Sequence, residues 1–487
     1  MSRYILAFLP AFLALITQPA VADGPVEMGL ESHAWNSLYL AGGKGSRSAD
    51  RMKVQMYESN LDQYKWLGAT WDVVRADQDT DGPDGFRRLD AIVAQHRKRG
   101  LEVVLRLIED PDVYTELSDT ESPVHGYNER YWKWVHSIAG RYGDRVKIYL
   151  VGNEIDKDIS VNLPRKRRHG PIYVDYAKYK KLLTTAYKAI KAVNPELLVA
   201  DHGAESYSLL SVVVEDLVKS GNPDEAVDLC RKAFYYRVEY DKECRAFPRR
   251  LIFDRSLATR TEKARKTFLD PGPADLFQVH LYMNAEAMPS ILAWIAQAQK
   301  RDGISRPLIA TEVSYLLPSR VSDVDGRRRR VADMARYSED EHAEQVVKMF
   351  ATLFGHHVRR AEYWESRTFA GGGSPVSTLF HDTDDPTLVK PYKAAKAYGT
   401  LGSTIAGAES RKPIGFCGEQ CIEYRFVSHR RDVSIVWAKT KGSTIELDLN
   451  GTDIDLVTDI YGTPVRKAGK RIQVGYSPIY LIRATAR

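Results

Sequence analysis

The chain of 487 residues is predicted to have an α/β fold, a (β/α)8 TIM barrel followed by a smaller all-β domain. The barrel is predicted because short apolar runs alternate with amphipathic helical patterns through most of the chain. The second domain is predicted because the pattern changes near Ala406 to short alternating strands separated by turns. A hydrophobic fraction of 44% and a charged fraction of 28% are ordinary for a globular protein, and they exclude a disordered chain.

The first 22 residues have the pattern of a secretory signal peptide. Arg3 precedes the apolar run Tyr4 to Ile16, and small residues end at Ala22 before Asp23. The apolar run is shorter than the roughly 20 residues that a spanning helix needs. We therefore expect cleavage after Ala22 and a periplasmic or secreted protein without stable membrane insertion; an uncleaved anchor is the alternative.

The strands and helices of the barrel follow in order along the chain. Helical patterns cover 59–67, 86–99, 131–142, 176–193, 290–300 and 341–359, and Gly68 and Gly100 stop the first two. The eight strands are expected to end near His33, Arg75, Ile108, Glu154, His202, Tyr282, Glu312 and Trp364. Eight parallel strands close a barrel. A doubly wound open sheet also alternates in this way, but the chain lacks that fold's glycine-rich phosphate loop.

The expected domains are a barrel over 23–405 and a β-sandwich-like domain over 406–487. The stretch of about 205–275 is longer than a barrel repeat needs, so it is predicted to be a partly helical insertion. Four cysteines fit an oxidising compartment and predict two local disulfides, Cys230–Cys244 and Cys417–Cys421. A zinc site is the competing interpretation, although neither pair has the usual two-residue spacing.

Two apolar runs deliver a glutamate near their carboxyl ends. Lys147–Ile155 carries Glu154, and Pro307–Tyr315 carries Glu312. Parallel barrel strands open on one face, so these distant carboxylates can meet across one cleft. Two carboxyl groups that face each other across a sugar can act as proton donor and nucleophile in glycosidic bond cleavage. A glutamate that simply follows a strand is the alternative at each position.

Asn153-Glu154 and Thr311-Glu312 resemble the acid/base and nucleophile motifs of glycoside hydrolase clan A. The segment Thr458–Pro464 resembles the C-terminal domain of family 39 enzymes within that clan. The resemblance implies a retaining glycosidase with Glu154 as general acid and base and Glu312 as nucleophile. We expect neither a metal nor another cofactor.

Six further residues are expected to contact the substrate or the nucleophile. Arg75 resembles the clan's arginine that holds the nucleophile, and Tyr282 resembles the tyrosine of its His-x-Tyr pair, which often contacts the nucleophile. Asn153 is suited to a sugar hydroxyl, with backbone capping as the alternative. Structural roles remain open for the histidines and the tryptophan of this set. The set is Arg75, Asn153, His202, His280, Tyr282 and Trp364.

The basic residues indicate a substrate class. Part of the net charge of +6 lies in Arg165–Arg168 and Arg327–Arg330, in the loops expected after strands four and seven. Such loops share the catalytic face, so the runs would attract an acidic polymer; solvated loops without a ligand are the alternative. No aromatic residues interleave them, so no nucleic acid partner is expected.

Relatives in the resembled family include exopolysaccharide-cleaving enzymes, β-xylosidases and iduronidases. We therefore expect a bacterial exopolysaccharide, with or without uronate, to be the substrate. A non-catalytic carbohydrate-binding component of an export system and a transglycosylase remain alternatives. The sequence leaves the oligomeric state, the sugar and the linkage open.

Overall fold

The computed structural model describes residues 25–30, 47–77, 83–108, 129–156, 176–233, 240–315, 319–324, 327–332, 338–364, 379–381, 390–466 and 469–484. The predicted signal peptide, His33 and Arg165–Arg168 lie outside these ranges. Within them, no helix has both the length and the apolar character that crossing a membrane requires.

Eight parallel strands form the predicted barrel. They are β1 (Glu27–Leu30), β2 (Trp71–Asp77), β3 (Glu102–Ile108), β4 (Val146–Val151), β5 (Leu198–Ala200), β6 (Phe277–Tyr282), β7 (Leu308–Ser314) and β10 (Arg360–Tyr363). Their hydrogen-bonded order is β5-β4-β3-β2-β1-β10-β7-β6. Parallel bridges from Ala200 to Leu276 and from Ala204 to Val279 join the two outer strands. The (β/α)8 prediction is confirmed.

Helices connect the strands and cover the outside of the barrel. They are α1 (Arg47–Trp66), α2 (Pro83–Lys98), α3 (Glu129–Tyr142), α4 (Tyr176–Val193), α9 (Met288–Arg301), α10 (Glu339–Gly355) and α11 (Lys393–Ile405). In α3, the buried residues Tyr131, Trp134, Val135 and Ile138 recur at intervals of three or four. This spacing gives the helix one apolar face, which packs into the core.

The described residues between β5 and β6 form four helices, where a simple barrel repeat has one. They are α5 (Ser206–Lys219), α6 (Pro223–Ala233), α7 (Tyr240–Phe253) and α8 (Arg255–Leu269). The predicted disulfide Cys230–Cys244 joins α6 to α7, with 5.5 Å between the two Cα atoms. Glu205 caps α5 by accepting hydrogen bonds from the backbone N–H groups of Tyr207 and Ser208.

The interior of the barrel is apolar at its centre and charged at its carboxyl end. Trp71, Val73 and Val104 belong to one buried cluster inside the barrel. Because side chains alternate along a strand, Arg75 and Arg106 face the same interior two residues further on, and they pair in register across β2 and β3. The interior therefore carries two arginines at its carboxyl end.

The C-terminal domain consists of antiparallel sheets. One has the order β13 (Glu409–Arg411), β14 (Cys421–Val427), β15 (Arg431–Ala438), β19 (Ile479–Ala484) and β17 (Leu456–Asp459), and the other pairs β16 (Ile445–Asp448) with β18 (Arg471–Val474). Val436 and Leu447 share a buried cluster between the two sheets. Val433 and Ile435 belong instead to the barrel's core cluster. The predicted disulfide Cys417–Cys421 is formed within this domain.

Two further strand pairs differ from the expected loops. The segment after β7 was expected to be a loop, but β8 (Ser319–Val324) and β9 (Arg327–Ala332) pair there as an antiparallel hairpin. The short strands β11 (Phe380–His381) and β12 (Lys390–Pro391) also pair. The basic run Arg327–Arg330 thus occupies a regular strand that begins 15 residues after Glu312 in the sequence.

Candidate active site

The two glutamates predicted from their strands meet at the carboxyl end of the barrel. Glu312 lies in β7, and Glu154 follows β4 by three residues. A carboxylate oxygen of each, together with Nδ1 of His280, lies within 4.8 Å of the other two atoms. Both glutamates are buried. A short separation of about 5 Å between carboxyl groups belongs to retaining glycosidases, whereas inverting enzymes need a wider gap for water.

Glu154 has a backbone conformation that L-residues rarely adopt. Its φ angle is 45°, and that of Gly152 is 83°. The Glu154 N–H donates a hydrogen bond to the carbonyl of His202 at 2.8 Å. A left-handed conformation costs roughly 1–3 kcal/mol in a non-glycine residue, and such strain is concentrated at functional sites. The turn after β4 is therefore held against the end of β5.

Glu312 is surrounded by groups that stabilise its charge. Arg106 Nη1 lies 2.6 Å from Glu312 Oε1, and both side chains are almost fully buried. The hydroxyl of Tyr282 donates a hydrogen bond to Oε2, as the tyrosine motif predicts. Hydrogen bonds to an ionised carboxylate favour its charged form. The site therefore presents Glu312 as a fixed carboxylate.

The arginine on Glu312 was not among the residues predicted from the sequence. That role was expected for Arg75. This residue is half-buried on β2, the strand next to β3, and pairs in register with Arg106. A contact between Arg75 and the nucleophile stays a prediction. The available signal was Arg106 itself, since it is a cation in an otherwise apolar run whose neighbours Leu105 and Leu107 are fully buried. Buried arginines are rarely left without a partner.

His280 lies between the two glutamates. Its Nδ1 is 3.1 Å from Glu154 Oε1 and 3.3 Å from Glu312 Oε2. The Gln278 amide nitrogen lies 3.0 Å from His280 Nε2 and 2.5 Å from the hydroxyl of Thr311. An amide nitrogen can only donate, so this arrangement assigns an acceptor Nε2 and a protonated Nδ1. The Nδ1 proton is then shared between the two carboxylates.

Close packing holds the His280 ring in this place. Gly203 has a φ angle of 73°. A Cβ atom there would lie 2.4 Å from His280 Nε2 and 2.8 Å from the Gln278 amide nitrogen. Only glycine therefore fits at this position without moving the histidine.

Glu154, His280 and Glu312 are close enough together to be considered as a metal site. Their hydrogen bonds do not fit that use. The imidazole Nδ1 carries a proton, and Arg106 already compensates the charge of Glu312. We therefore interpret the cluster as a proton-sharing group rather than as metal ligands.

Comparison with known proteins gives matches to solved structures alone, since no protein-family model and no curated protein matches the chain. A family 39 glycoside hydrolase from the gut symbiont Bacteroides cellulosilyticus WH2 is 13% identical with a TM-score of 0.56, covering 95% of this chain and 81% of that chain. The catalytic domain of family 30 xylanase C from Talaromyces cellulolyticus is 12% identical with a TM-score of 0.52, covering 96% and 98%. A family 30 endoxylanase from Clostridium papyrosolvens C71 is 10% identical with a TM-score of 0.51, covering 95% and 97%. The chain has the fold of these glycoside hydrolases.

In this glycoside hydrolase fold, His202 is buried next to the backbone of Glu154. Its side chain is 1% exposed, and its ring packs edge-on against Tyr179 at 5.1 Å. Its Nδ1 lies 3.2 Å from the Gly203 carbonyl and 3.6 Å from Asp156 Oδ1. Burial lowers the pKa of His202 to about 3, so the ring is neutral. These contacts fit the structural role that the sequence left open, and a contact of His202 with substrate stays a prediction.

The remaining predicted residues lie at the mouth of the site. Asn153 is exposed next to Glu154. Trp364 follows β10, and its ring meets that of Tyr282 edge-on at 5.2 Å between centroids. Its backbone N–H donates to the Val313 carbonyl at 2.9 Å, which places the ring beside the strand of Glu312. The roles of Asn153 and Trp364 in sugar binding stay predictions.

Proposed function

We propose that the protein is a retaining glycosidase in which Glu312 is the nucleophile and Glu154 is the general acid and base. The observation that carries the proposal is the pair of buried carboxylates within 4.8 Å at the carboxyl ends of two barrel strands. The barrel face on which they lie is the one that holds active sites in this fold. The fold shared with family 39 and family 30 glycoside hydrolases supports the same assignment.

The contacts of the two glutamates suit two different steps. Glu154 donates a proton to the leaving oxygen while Glu312 attacks the anomeric carbon, and a glycosyl ester forms. Glu154 then takes a proton from water, which attacks the same carbon and releases Glu312. Arg106 and Tyr282 bind different oxygens of Glu312, so they hold its carboxylate in one orientation for attack.

His280 links the two steps. Its Nδ1–H contacts both carboxylates, so it remains a donor to Glu154 when Glu312 becomes an ester and loses its charge. At that stage Glu154 must be ionised to act as the base. A hydrogen bond from His280 favours the ionised form at the moment when it is needed.

The substrate in this proposal is a polysaccharide, with a bacterial exopolysaccharide that carries acidic groups as the favoured class. The arginines of β9 support it, because the β8–β9 hairpin follows the strand that carries Glu312. Loops after barrel strands lie on the catalytic face, and arginine suits bidentate pairing with carboxylates. The N-terminal signal pattern favours an exported protein, which would meet such a polymer outside the cytoplasm.

Two variants test the chemistry. Glu312→Gln is expected to abolish turnover of every glycoside, because no covalent intermediate forms. Glu154→Ala is expected to lower kcat by about 10²–10⁴-fold on unactivated sugars, but less on aryl glycosides whose leaving group needs no proton, with partial rescue by azide. Glu262→Gln alters an exposed glutamate of α8 and is the control. Near-normal activity of both active-site variants would favour a binding protein that lacks turnover.

The substrate is tested separately with a panel of acidic and neutral polysaccharides, assayed for new reducing ends at low and high salt. Cleavage of an acidic polymer that weakens as salt rises is expected, since exposed charges are screened. Activity confined to short neutral xylosides without salt dependence would contradict the substrate class and leave the mechanism unchanged. Product analysis with an added acceptor sugar separates hydrolysis from transglycosylation.

A further inference from the structure

Asp156 lies in the interior two residues beyond Glu154, and its environment differs from that of the other site carboxylates. Its carboxylate oxygens accept a hydrogen bond from the Glu205 N–H at 3.1 and 3.3 Å. Its backbone carbonyl accepts from the Ser208 hydroxyl at 3.0 Å. Both donors belong to the N-terminus of α5. Asp156 therefore fastens the turn after β4 to the start of the insertion.

The charges around Asp156 are unfavourable for an ionised carboxylate. Among the residues that the structure describes, its one ion-pair candidate is His202, with Nδ1 3.6 Å from Oδ1. That nitrogen lies 3.2 Å from the Gly203 carbonyl, which can only accept, so Nδ1–H is donated there. His280 further disfavours a charge on His202. The neighbouring acidic groups are Glu205 and Glu154, both of which repel a negative charge.

Burial and these two glutamates act in the same direction. Burial first, and then Glu205 and Glu154, raise the pKa of Asp156 well above its usual range. A buried carboxylate without a compensating cation is expensive, so the group takes up a proton instead. Geometry and electrostatics both indicate an uncharged Asp156.

The turn that carries Glu154 is held from both sides of that residue. The Glu154 N–H is bound to the His202 carbonyl at 2.8 Å. Asp156 binds α5 on the other side. Glu154 lies between these contacts and has the strained φ angle of 45°. Strained conformations persist only where the surroundings fix them. Loss of the Asp156 contacts would therefore let Glu154 relax away from the cleft.

We propose that Asp156 is a positioning residue for Glu154. Its uncharged carboxyl fixes the strained turn to α5. Because Asp156 carries no charge, it places no second negative charge beside the catalytic acid Glu154. The catalytic part of this proposal rests on the proposed function, whereas the uncharged state of Asp156 can be tested without any substrate.

The first experiment measures Tm of the full chain from pH 4.5 to pH 8.5 for the wild type and Asp156→Asn. A carboxyl whose pKa is higher in the folded state contributes stability that is full below the unfolded pKa of about 3.9 and is lost as pH rises through the folded value. The asparagine does not titrate. The Tm of Asp156→Asn relative to the wild type should therefore rise with pH; a fall would overturn the proposal.

Asp216→Asn is the matched control for this experiment. Asp216 is half-buried and ion-paired with Arg265 at 2.6 Å, and that arginine holds the pKa of Asp216 below its usual value despite burial. The wild type gains stability as the pH rises through the pKa of such a carboxyl group. Most of this gain is complete by about pH 5, so the relative Tm of Asp216→Asn should stay nearly constant from pH 4.5 to pH 8.5, unlike that of Asp156→Asn.

The second experiment measures kcat and KM on a glycoside that the wild type cleaves. Asp156→Asn keeps shape and neutrality, so its kcat should stay within about threefold of the wild type. Asp156→Ala should lower kcat by about 10- to 100-fold with little change in KM, the size expected for a displacement near 1 Å. The loss should be smaller on activated aryl glycosides, because Glu154 is less needed there.

The outcomes separate the two proposals. Equal damage in the asparagine and alanine variants would show that the ionised form is required, and full activity of Asp156→Ala would show that the contact is dispensable; either result overturns the positioning role. If the wild type cleaves no glycoside, the proposed function fails, while the Tm measurements still decide the state of Asp156. If Asp156→Ala does not fold, the asparagine variant decides by its Tm profile and its leaving-group dependence.

Discussion

The ion pair between Arg106 and Glu312 gives the sharpest prediction about catalysis. Arg106→Met removes a guanidinium that lies 2.6 Å from the carboxylate, in a site where both side chains are almost fully buried. The variant keeps the apolar part of the side chain, so packing changes little. The expected result is a folded protein with a lower kcat/KM, because Glu312 loses the group that binds its Oε1.

The size of the effect follows from the contact that is lost. Arg106→Met removes the contact at Glu312 Oε1 and leaves those of Tyr282 and His280 at Oε2. A misplacement of a reacting group by about 1 Å can cost about 10²-fold in rate. We therefore expect kcat/KM to fall by about 10²-fold.

The assay is kcat/KM on a glycoside that the wild type cleaves, with circular dichroism to establish that the variant is folded. Removal of one partner of a buried ion pair destabilises by about 3–5 kcal/mol, so a lower Tm is expected as well. Arg75→Met is the matched control, because Arg75 faces the same interior in register with Arg106. A near-normal kcat/KM in Arg106→Met, together with a loss of about 10²-fold in Arg75→Met, would refute the assignment of Arg106 to the nucleophile.

Three further predictions concern packing, charge and disulfides. Gly203→Ala should lower kcat and Tm together, because the new Cβ would lie 2.4 Å from His280 Nε2; an unchanged pH profile would show that His280 had not moved. Lys348→Met should raise stability by about 1–3 kcal/mol at pH 6 and by less at pH 9.5. Lys348 packs over the Tyr476 ring, and burial lowers its pKa to about 8. The cost of burying the charged side chain is therefore full below about pH 8 and disappears as the pH rises toward the unfolded pKa of about 10.4; equal Tm changes at both pH values would contradict this. Thiol titration without reductant should find no free cysteine. Reduction of Cys230–Cys244, whose cysteines are 14 residues apart, should lower the free energy of unfolding of the insertion by about 3 kcal/mol without unfolding the barrel.

The hydrophobic patterns of the sequence predicted the barrel because they reflect which side chains are buried. The helix predicted over 176–193 is α4 with the same bounds, and β7 lies inside the predicted run Pro307–Tyr315. The β8–β9 hairpin was missed for the same reason. Its strand β9 contains four consecutive arginines, which show no alternation of apolar and polar residues. Its pairing is set by backbone hydrogen bonds, and these leave no trace in the hydrophobic pattern.

The site shows which contacts a sequence can and cannot predict. His280 pairs in register with Glu312 on the adjacent strand, so a histidine and a tyrosine at the end of β6 must lie near a glutamate at the end of β7. Arg106 reaches the same carboxylate from β3, which is not adjacent to β7 in the sheet. Arg75 is also charged, faces the same interior and lies on the strand next to Arg106, so strand register alone does not rank the two. The choice depends on how strand tilt and stagger close the barrel, and therefore on the positions of all eight strands together. Neighbouring-strand contacts are thus predictable from register, whereas contacts across the barrel require the closed structure.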